Sequence, residues 1–307
     1  MKTTVIIPFY NEESTIFQTL NSLQEQSRPA DDVFMIDSGS NDKTAEIIKE
    51  FQKNNPALHL QLFQPMLGNP SSSINYGIEK SKTELIAYID CGLNIPVDWL
   101  EKHYEQITSN DADLISCQIY TTGINSVDKS LIAQTYGYNN STPCLPGSMI
   151  KRDLFEKIGL FKYDMRAGYD IDFIKRVSEY GVKRIINKDL RLTYYGINYA
   201  KNYLSAVKKI FSYSKTGWRT KGDQKPYLYI LFGIFFLIAY LYEYSLLFVF
   251  TYLIVRGFLV PRIKSNGIFK FNNIKTILLL PLTAIIFDIS RIAGYLFSVT
   301  SLITMKK

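Results

Sequence analysis

The chain has 307 residues, 35 of them basic and 28 acidic, and its C-terminal part is richer in aromatic and apolar residues than the rest. Since the basic residues cluster beside long apolar segments, we expect membrane lipids or phosphate-bearing substrates as partners, and no nucleic acid. Three cysteines without a C-x-x-C pair and only two histidines argue against a disulfide framework, a zinc site or a histidine-based triad.

Short apolar strands alternate with amphipathic helices over the first 190 residues or so, which predicts an α/β fold with a mostly parallel sheet flanked by helices. The predicted strands cover residues 5–8, 33–36, 58–63, 85–93, 112–117, 148–150 and 183–193. The predicted helices cover residues 14–24, 43–51, 70–82, 96–107, 127–138, 152–158 and 170–180. Residues 139–147 and 161–169 are predicted to be loops, because they hold prolines, glycines and small polar residues.

The composition changes near residue 198. Residues 201–225 hold seven basic residues interleaved with aromatic and aliphatic ones, which predicts an interfacial helix on a membrane surface. Residues 227–260 are apolar except for Glu243 and Arg256, and they fit either a hairpin of two short helices turning near Glu243 or one long tilted helix.

Residues 274–303 supply a further apolar segment, in which Asp288 and Arg291 stand three positions apart and can pair. We therefore predict a catalytic domain over 1–197, a basic interfacial segment over 198–226 and a membrane region over 227–307 with about three transmembrane helices. The N-terminus lacks signal-peptide features, and the basic connections favour the cytoplasmic side, so we expect a multi-pass cell-membrane protein with a cytoplasmic catalytic domain.

Carboxylates follow three of the predicted strands, at Glu12, Asp37 and Asp90. If these strands are parallel neighbours, the three turns open on one edge of the sheet, where α/β folds bind ligands. Asp90 is followed by Cys91 and Gly92, and it fits either a turn-capping residue or a ligand of a divalent cation. Neither G-x-G-x-x-G nor a P-loop motif is present, so a Rossmann dinucleotide site and a P-loop are not indicated.

Two motifs carry a resemblance to a known family: Pro8-Phe9-Tyr10-Asn11-Glu12, and the stretch from Ile36-Asp37-Ser38-Gly39-Ser40 to Thr44. Together with the strand that runs into Asp90, they resemble the family 2 glycosyltransferases of the GT-A fold over roughly residues 1 to 190. The apolar C-terminal part resembles, more loosely, the members that build extracellular or capsular polysaccharides.

The resemblance implies that the first two motifs bind a nucleotide-sugar donor, that the strand-end aspartate binds Mg²⁺ or Mn²⁺, and that a later acidic residue is the catalytic base. Carried over to this sequence, the donor-binding residues are Pro8, Tyr10, Glu12, Asp37, Ser38 and Asp90. Asp90 is also the metal ligand, and Asp170 is the catalytic base.

The sequence departs from the family pattern at two places. The metal motif reads Asp90-Cys91-Gly92, so glycine replaces its second aspartate, and one carboxylate must serve with phosphates and waters. The Glu-Asp pair of the family appears as Tyr169-Asp170. Asp170 begins a predicted helix, so a helix N-cap is the alternative role for its side chain.

These observations lead us to expect an inverting glycosyltransferase in cell-surface polysaccharide synthesis. The expected donor is a nucleotide-sugar, with a UDP-sugar favoured, and the expected acceptor is a hydroxyl of a lipid-linked saccharide. Two alternatives stay open: sugar transfer to polyprenyl phosphate, and a non-catalytic subunit of a polysaccharide-assembly complex.

Overall fold

The computed structural model describes residues 1–138, 140–163, 165–195, 203–215, 225–265 and 273–304. The chain divides into two compact units. The first unit holds Met1–Tyr120 and Thr142–Tyr194, and the second holds Thr121–Ser141 and Tyr195–Lys307. The predicted boundary at residue 197 lies close to the second junction, but residues 121–141, which we assigned to the catalytic domain, group with the C-terminal helices.

The first unit is built on an eight-stranded sheet with the strand order β3-β2-β1-β4-β7-β6-β8-β5. The strands are β1 (Thr3–Phe9), β2 (Asp32–Asp37), β3 (Leu60–Phe63), β4 (Leu85–Tyr88), β5 (Leu93–Asn94), β6 (Leu114–Thr122), β7 (Ser141–Lys151) and β8 (Arg184–Tyr195). Strands β3, β2, β1 and β4 pair in parallel, as predicted. The sheet as a whole is mixed, because β4 pairs antiparallel with β7, and β5 antiparallel with β8.

Six helices and a 3-10 turn at Pro56–Leu58 complete this unit. The helices are α1 (Ile16–Gln24), α2 (Thr44–Asn54), α3 (Pro70–Lys80), α4 (Trp99–Ser109), α6 (Asp153–Ile158) and α7 (Tyr169–Glu179). Successive residues of β1 enter two separate cores: Val5 and Ile7 pack with α1, α2 and α4, while Ile6 packs with α3, α6 and α7. Because both faces of the sheet are covered, its central strands are continuously apolar in sequence.

One predicted loop is a strand. Residues 141–147 of the predicted loop 139–147 form the first half of β7; Asn140 precedes the strand, and Asn139 lies outside the described residues. The segment forms a strand in spite of its two prolines, because strand formation buries the side chain of Leu145. Gly147 has a φ of +85°, and a Cβ there would lie 2.3 Å from Leu192 Cδ1, so the strand can pass this point only with glycine.

The second unit contains α5 (Ser126–Thr135), α8 (Tyr203–Ser214), α9 (Lys225–Leu241), α10 (Ser245–Ile254), α11 (Val260–Lys264) and α12 (Ile274–Thr304). A π-helical turn at Val255–Leu259 joins α10 to α11. Helices α9 and α10 form the predicted hairpin, and Glu243, with a φ of 60°, lies in its turn. The alternative of one long helix is therefore wrong.

Two helical segments of the described chain are long and apolar enough to cross a membrane, Ser245–Lys264 and Ile274–Thr300. Helix α9 is also apolar but has only 17 residues, so two segments meet this criterion where about three were predicted. Of the predicted interfacial segment, the structure describes α8, Lys215 and Lys225. Lys201, Arg219, Lys221 and the terminal Lys306 and Lys307 lie outside the described residues.

Helix α5 is held to α12 by polar as well as apolar contacts. The hydroxyls of Ser130 and Thr283 are 3.0 Å apart, and Gln134 Nε2 donates to the carbonyl of Leu280 at 3.0 Å. Leu131 and Ile132 pack with residues of α8 and α12 in a common core. These contacts explain why α5 belongs to the second unit although it lies between β6 and β7 in the sequence.

Candidate active site

The turns after β1 and β2 are joined by reciprocal hydrogen bonds. The backbone N–H of Asn11 donates to Ser40 Oγ at 3.0 Å, and Asn11 Oδ1 accepts from the N–H of Asn41 at 2.9 Å. The N–H of Glu12 donates to Thr44 Oγ1 at 2.8 Å. Asn11 has a φ of 55°, which asparagine tolerates better than most residues. The two motifs singled out in the sequence therefore form one structural element.

Asp37 is almost completely buried at the end of β2, where its carboxylate closes the turn. Its Oδ1 accepts hydrogen bonds from the N–H groups of Ser40 at 2.7 Å and Gly39 at 3.0 Å, and its Oδ2 accepts from Gln64 at 3.2 Å. Burial alone would raise the pKa of Asp37, but the hydrogen bonds outweigh burial and lower it below its usual value. The side chain is therefore an ionised acceptor.

The other residues predicted to bind the donor surround this turn. The hydroxyl of Ser38 lies 2.8 Å from that of Ser73. Pro8 is buried within β1, opposite Ile36, so it shapes the strand end. Tyr10, in contrast, has half of its surface exposed, and a tyrosine ring so exposed can stack on a planar ligand.

Helix α1 connects Glu12 with the turn after β4. Glu12 Oε2 accepts from Thr15 Oγ1 at 2.5 Å, and Thr19 Oγ1 accepts from the N–H of Gly92 at 3.0 Å. Burial, followed by the nearby Glu12 carboxylate, raises the pKa of the Cys91 thiol to about 12. Cys91 is thus a neutral, buried residue next to Asp90, as expected for a small residue with a packing role.

Asp90 is held by tyrosine hydroxyls on both of its carboxylate oxygens. Tyr88 donates to Oδ1 at 2.6 Å, and Tyr194 donates to Oδ2 at 2.8 Å. The Tyr88 hydroxyl also lies 2.9 Å from that of Tyr169, the first residue of α7. We call Tyr88, Tyr169 and Tyr194 the tyrosine clamp; it fixes the orientation of the Asp90 carboxylate, as groups around a metal-binding carboxylate do.

The position of Tyr194 follows from the pairing of β5 with β8. Leu93 is opposite Tyr194 in this short antiparallel ladder, and Asn94 is opposite Thr193. The ladder begins directly after Asp90-Cys91-Gly92, so the end of β8 lies beside that turn. Burial, together with the Asp90 carboxylate, raises the pKa of the Tyr88 hydroxyl well above its usual value, which keeps it a hydrogen-bond donor to Asp90.

Asp170 lies in the first turn of α7 but is not its N-cap. Gly168 occupies the N-cap position, with a φ of 81°, and makes no side-chain cap. The N-cap alternative for Asp170 is therefore wrong. Two residues on, the fully buried Asp172 binds Lys162 at 2.8 Å and Arg176 at 3.0 Å, which gives it a structural role.

The thiol of Cys144 in β7 has a pKa well above its usual value. A hydrogen bond with Cys117 and burial raise the pKa of Cys144 most, and the carboxylates of Asp90 and Asp170 raise it further. The strand that carries Cys144 is held to α4, since Trp99 Nε1 and His103 Nε2 donate to the carbonyl of Gly147 at 2.9 and 2.8 Å. Burial lowers the pKa of His103 to about 4, so its ring is neutral.

The residues present fit a divalent cation only if substrate oxygens complete its coordination. Among the described residues, no group of three or more histidine, cysteine or acidic side chains could hold a metal ion. Asp90 offers one oriented carboxylate, a hard oxygen ligand that suits Mg²⁺ or Mn²⁺ with phosphates and waters. Asp90 would thus bind the cation together with the diphosphate of a nucleotide.

The tyrosine clamp was not predicted from the sequence, although the spacing of Tyr88 and Asp90 could have indicated one of its contacts. Tyr88 and Asp90 are two residues apart at a strand end, a spacing that places side chains on one face. Tyr194 is 104 residues from Asp90 in the chain, and no local pattern marks it. Gln64, the third donor to Asp37, was missed for the same reason.

Comparison with known proteins supports the fold and the family. The family model described as "Glycosyl transferase family 2" matches residues 4–170. The chain is 25% identical over 231 residues to glycosyltransferase AglE of Haloferax volcanii, covering 69% of this chain and 71% of the relative. It is 24% identical over 279 residues to a dolichyl N-acetyl-alpha-D-glucosaminyl phosphate glucuronosyltransferase of Methanococcus voltae, covering 83% and 82% of the two chains.

Solved structures confirm the predicted GT-A-like fold class. A mannosyltransferase from Pyrobaculum calidifontis, solved with GDP-Man and Mn²⁺, matches with a TM-score of 0.58 at 18% identity, over 97% of this chain and 87% of that one. Residues 1–349 of TarS from S. aureus, solved with UDP-GlcNAc, match with a TM-score of 0.52 at 17% identity, over 96% and 90%. Because the family model covers more than half of the chain, this protein belongs to glycosyl transferase family 2 and is a glycosyltransferase.

Proposed function

We propose that this glycosyltransferase moves a sugar from a nucleotide-sugar donor to a hydroxyl of a lipid-linked saccharide, with inversion at the anomeric carbon. The observation that supports this proposal most is the oriented Asp90 carboxylate, because its donor Tyr88 also contacts Tyr169, the residue before Asp170 in α7. A metal-binding carboxylate and a candidate base near one point are what direct displacement of a nucleoside diphosphate requires.

In the proposed reaction, Asp37 binds the base and ribose of the donor through its ionised carboxylate. Tyr10 stacks on the base, while Glu12, Ser38 and Pro8 shape the surrounding turns. A UDP-sugar is the favoured donor, since solved TarS structures hold UDP and UDP-GlcNAc, although the Pyrobaculum enzyme holds GDP-Man.

Asp90 would hold Mg²⁺ or Mn²⁺ on the donor diphosphate, and the bound cation supplies neutralisation of the leaving group's charge. The tyrosine clamp keeps the Asp90 carboxylate in one orientation for this task. With a single protein carboxylate at the site, we expect weak metal binding in the absence of nucleotide.

Asp170 takes the proton from the acceptor hydroxyl. It lies in the first turn of α7, where the helix dipole favours a negatively charged side chain. The acceptor oxygen then attacks the anomeric carbon from the side opposite the diphosphate, which inverts the configuration.

We propose a lipid-linked acceptor and a site at the cytoplasmic face of the cell membrane. Two apolar helical segments and the name of the Methanococcus relative, which acts on a dolichyl phosphate-linked sugar, support this assignment. Transfer to polyprenyl phosphate itself stays as the second candidate, because a lipid phosphate without a saccharide would reach the same active site from the membrane.

The proposal is tested by following donor turnover with purified protein, with and without Mn²⁺. We expect Asp170→Asn to lower the rate at least a hundredfold, the order of magnitude for loss of a general base, while the Kd of the donor changes less than threefold. Asp153→Asn, which changes an aspartate in the first turn of α6, is the matched control. A near-normal rate in Asp170→Asn would show that Asp170 is not the base, and the absence of turnover with every nucleotide-sugar tested would overturn the proposed reaction.

A further inference from the structure

Within the second unit, one buried carboxylate of α12 contacts polar side chains from α9, from α10, from the π-helical turn and from α12 itself. Asp288 of α12 binds Arg256 through two contacts, Nε at 2.8 Å and Nη2 at 2.9 Å, and Arg291 Nη1 at 3.0 Å. It also accepts hydrogen bonds from Tyr229 at 2.6 Å and Tyr252 at 3.1 Å. We call these five residues the Asp288 cluster.

The Asp288 cluster carries one more positive than negative charge. Arg256 and Arg291 face a single carboxylate, and their side chains are only 17% and 13% exposed. Lys264 of α11 supplies no negative charge to the cluster either, and its Nζ donates to the carbonyls of Gln134 and Thr135 at the end of α5. An uncompensated charge in an apolar region costs several kcal/mol in order of magnitude, so a counter-anion would stabilise the cluster.

Arg291 is the cation with capacity left for such an anion. Among the residues that the structure describes, its Nη1 donates to Asp288 and Tyr229, whereas Nε and Nη2 donate to no acceptor. Asp288 already accepts four hydrogen bonds and forms a further ion pair with Arg256 Nε, which fills its lone pairs. A guanidinium with a free pair of adjacent N–H groups matches a phosphate oxygen pair.

The position of the cluster along the hairpin indicates the source of the phosphate. Tyr229 lies 12 residues before the end of α9 at Leu241, which corresponds to about 18 Å along a helix. Residues between Tyr229 and the hairpin turn are mostly exposed and apolar, among them Leu231 and Phe235, and so is Leu246 after the turn. Helix α12 packs against α5 and α8 on both sides of Asp288, so the inserted part in this arrangement is the hairpin of α9 and α10 and not α12. Half of the hydrocarbon core is about 15 Å thick, so a hairpin inserted by its tip would bring the cluster to the depth of lipid phosphates.

We propose that the Asp288 cluster binds the phosphate group of a membrane lipid, with Arg291 as the main ligand. The phosphate enters sideways from the bilayer at the base of the hairpin and contributes the negative charge that the cluster lacks. This inference concerns binding alone and does not depend on sugar transfer, so it can fail while the proposed reaction stands.

The experiment measures lipid binding to the full-length protein in detergent by native mass spectrometry, without donor. The probes are phosphatidylglycerol, a polyprenyl monophosphate and inorganic phosphate. We expect Arg291→Gln to weaken lipid binding about tenfold, the effect of losing charge-assisted hydrogen bonds. The matched control is Arg262→Gln, which removes the same charge from an exposed position of α11 and should change binding less than twofold.

A second variant should change the affinity for lipid in the opposite direction. Asp288→Asn removes the competing carboxylate charge, so it should bind lipid phosphate more tightly than the wild type does. Comparable binding by wild type, Arg291→Gln and Asp288→Asn would overturn the proposal, and so would equal losses in Arg291→Gln and Arg262→Gln, since they indicate non-specific attraction. Arg291-dependent binding of the polyprenyl phosphate alone identifies an acceptor-lipid site, and such binding of both lipids identifies a general phospholipid site.

Discussion

Replacing Tyr194 by phenylalanine removes one hydroxyl from the tyrosine clamp and leaves the ring in place. The lost hydrogen bond runs from the Tyr194 hydroxyl to Asp90 Oδ2 over 2.8 Å. A hydrogen bond to a charged group contributes about 1.5–3 kcal/mol. Asp90 is only half-buried, so water can replace part of this interaction and the lower end of that range applies. We therefore expect about a tenfold loss of Mn²⁺ affinity, in the range usual for residues that orient a metal ligand.

The assay titrates Mn²⁺ against donor turnover and, separately, against binding to the protein–UDP complex by electron paramagnetic resonance. Tyr163→Phe is the matched control, because the Tyr163 hydroxyl donates to a carboxylate of the same unit, Glu79 Oε1, at 2.7 Å but at the surface. We expect the control to change Mn²⁺ affinity less than twofold. Equal Mn²⁺ affinity in the wild type and Tyr194→Phe would refute the view that the clamp positions Asp90 for a metal ion.

Three further predictions concern the first unit. Asp37→Asn places an amide opposite the N–H groups that the carboxylate binds, so the Kd for UDP, measured by calorimetry, should rise at least tenfold. Burial lowers the pKa of His103 from 6.5 to about 4, so the folded protein binds fewer protons than the unfolded chain between these values. The free energy of unfolding should fall by about 3 kcal/mol from pH 7 to pH 4, and in His103→Gln that contribution to the pH dependence should be absent. Gly92→Asp restores a second carboxylate, but at a φ of 82°; we expect tighter Mn²⁺ binding with a stability loss of about 1–2 kcal/mol in thermal unfolding, and unchanged metal affinity would contradict this.

Local sequence patterns were enough to predict the parallel half of the sheet and the ends of its strands. Buried strands followed by polar turns left Glu12, Asp37 and Asp90 as the candidate residues, and the structure places all three at strand ends. The short turns between strands and helices are set by neighbouring residues, so their chemistry can be recognised without knowledge of the rest of the fold.

The remaining features depend on contacts between distant parts of the chain. The clamp needs the pairing of β5 with β8, which brings Tyr194 to Asp90, and a two-residue strand such as β5 leaves no periodic signal. The proline-containing start of β7 was predicted as a loop because burial of Leu145 is a tertiary effect. The N-cap of α7, which was the alternative role for Asp170, is Gly168, two residues earlier, where a positive φ favours glycine.

Helix α5 lies between two strands of the catalytic sheet in sequence, yet its apolar side chains Leu131 and Ile132 are covered by α8 and α12. During synthesis α5 therefore emerges well before the helices that cover it, and its apolar face must wait for them or be shielded by a chaperone. A protein shortened to its first 195 residues would retain that face without its cover, and it should aggregate even though every predicted site residue is present. A soluble version of this enzyme would thus require polar substitutions at the apolar residues of α5 as well as removal of the C-terminal helices.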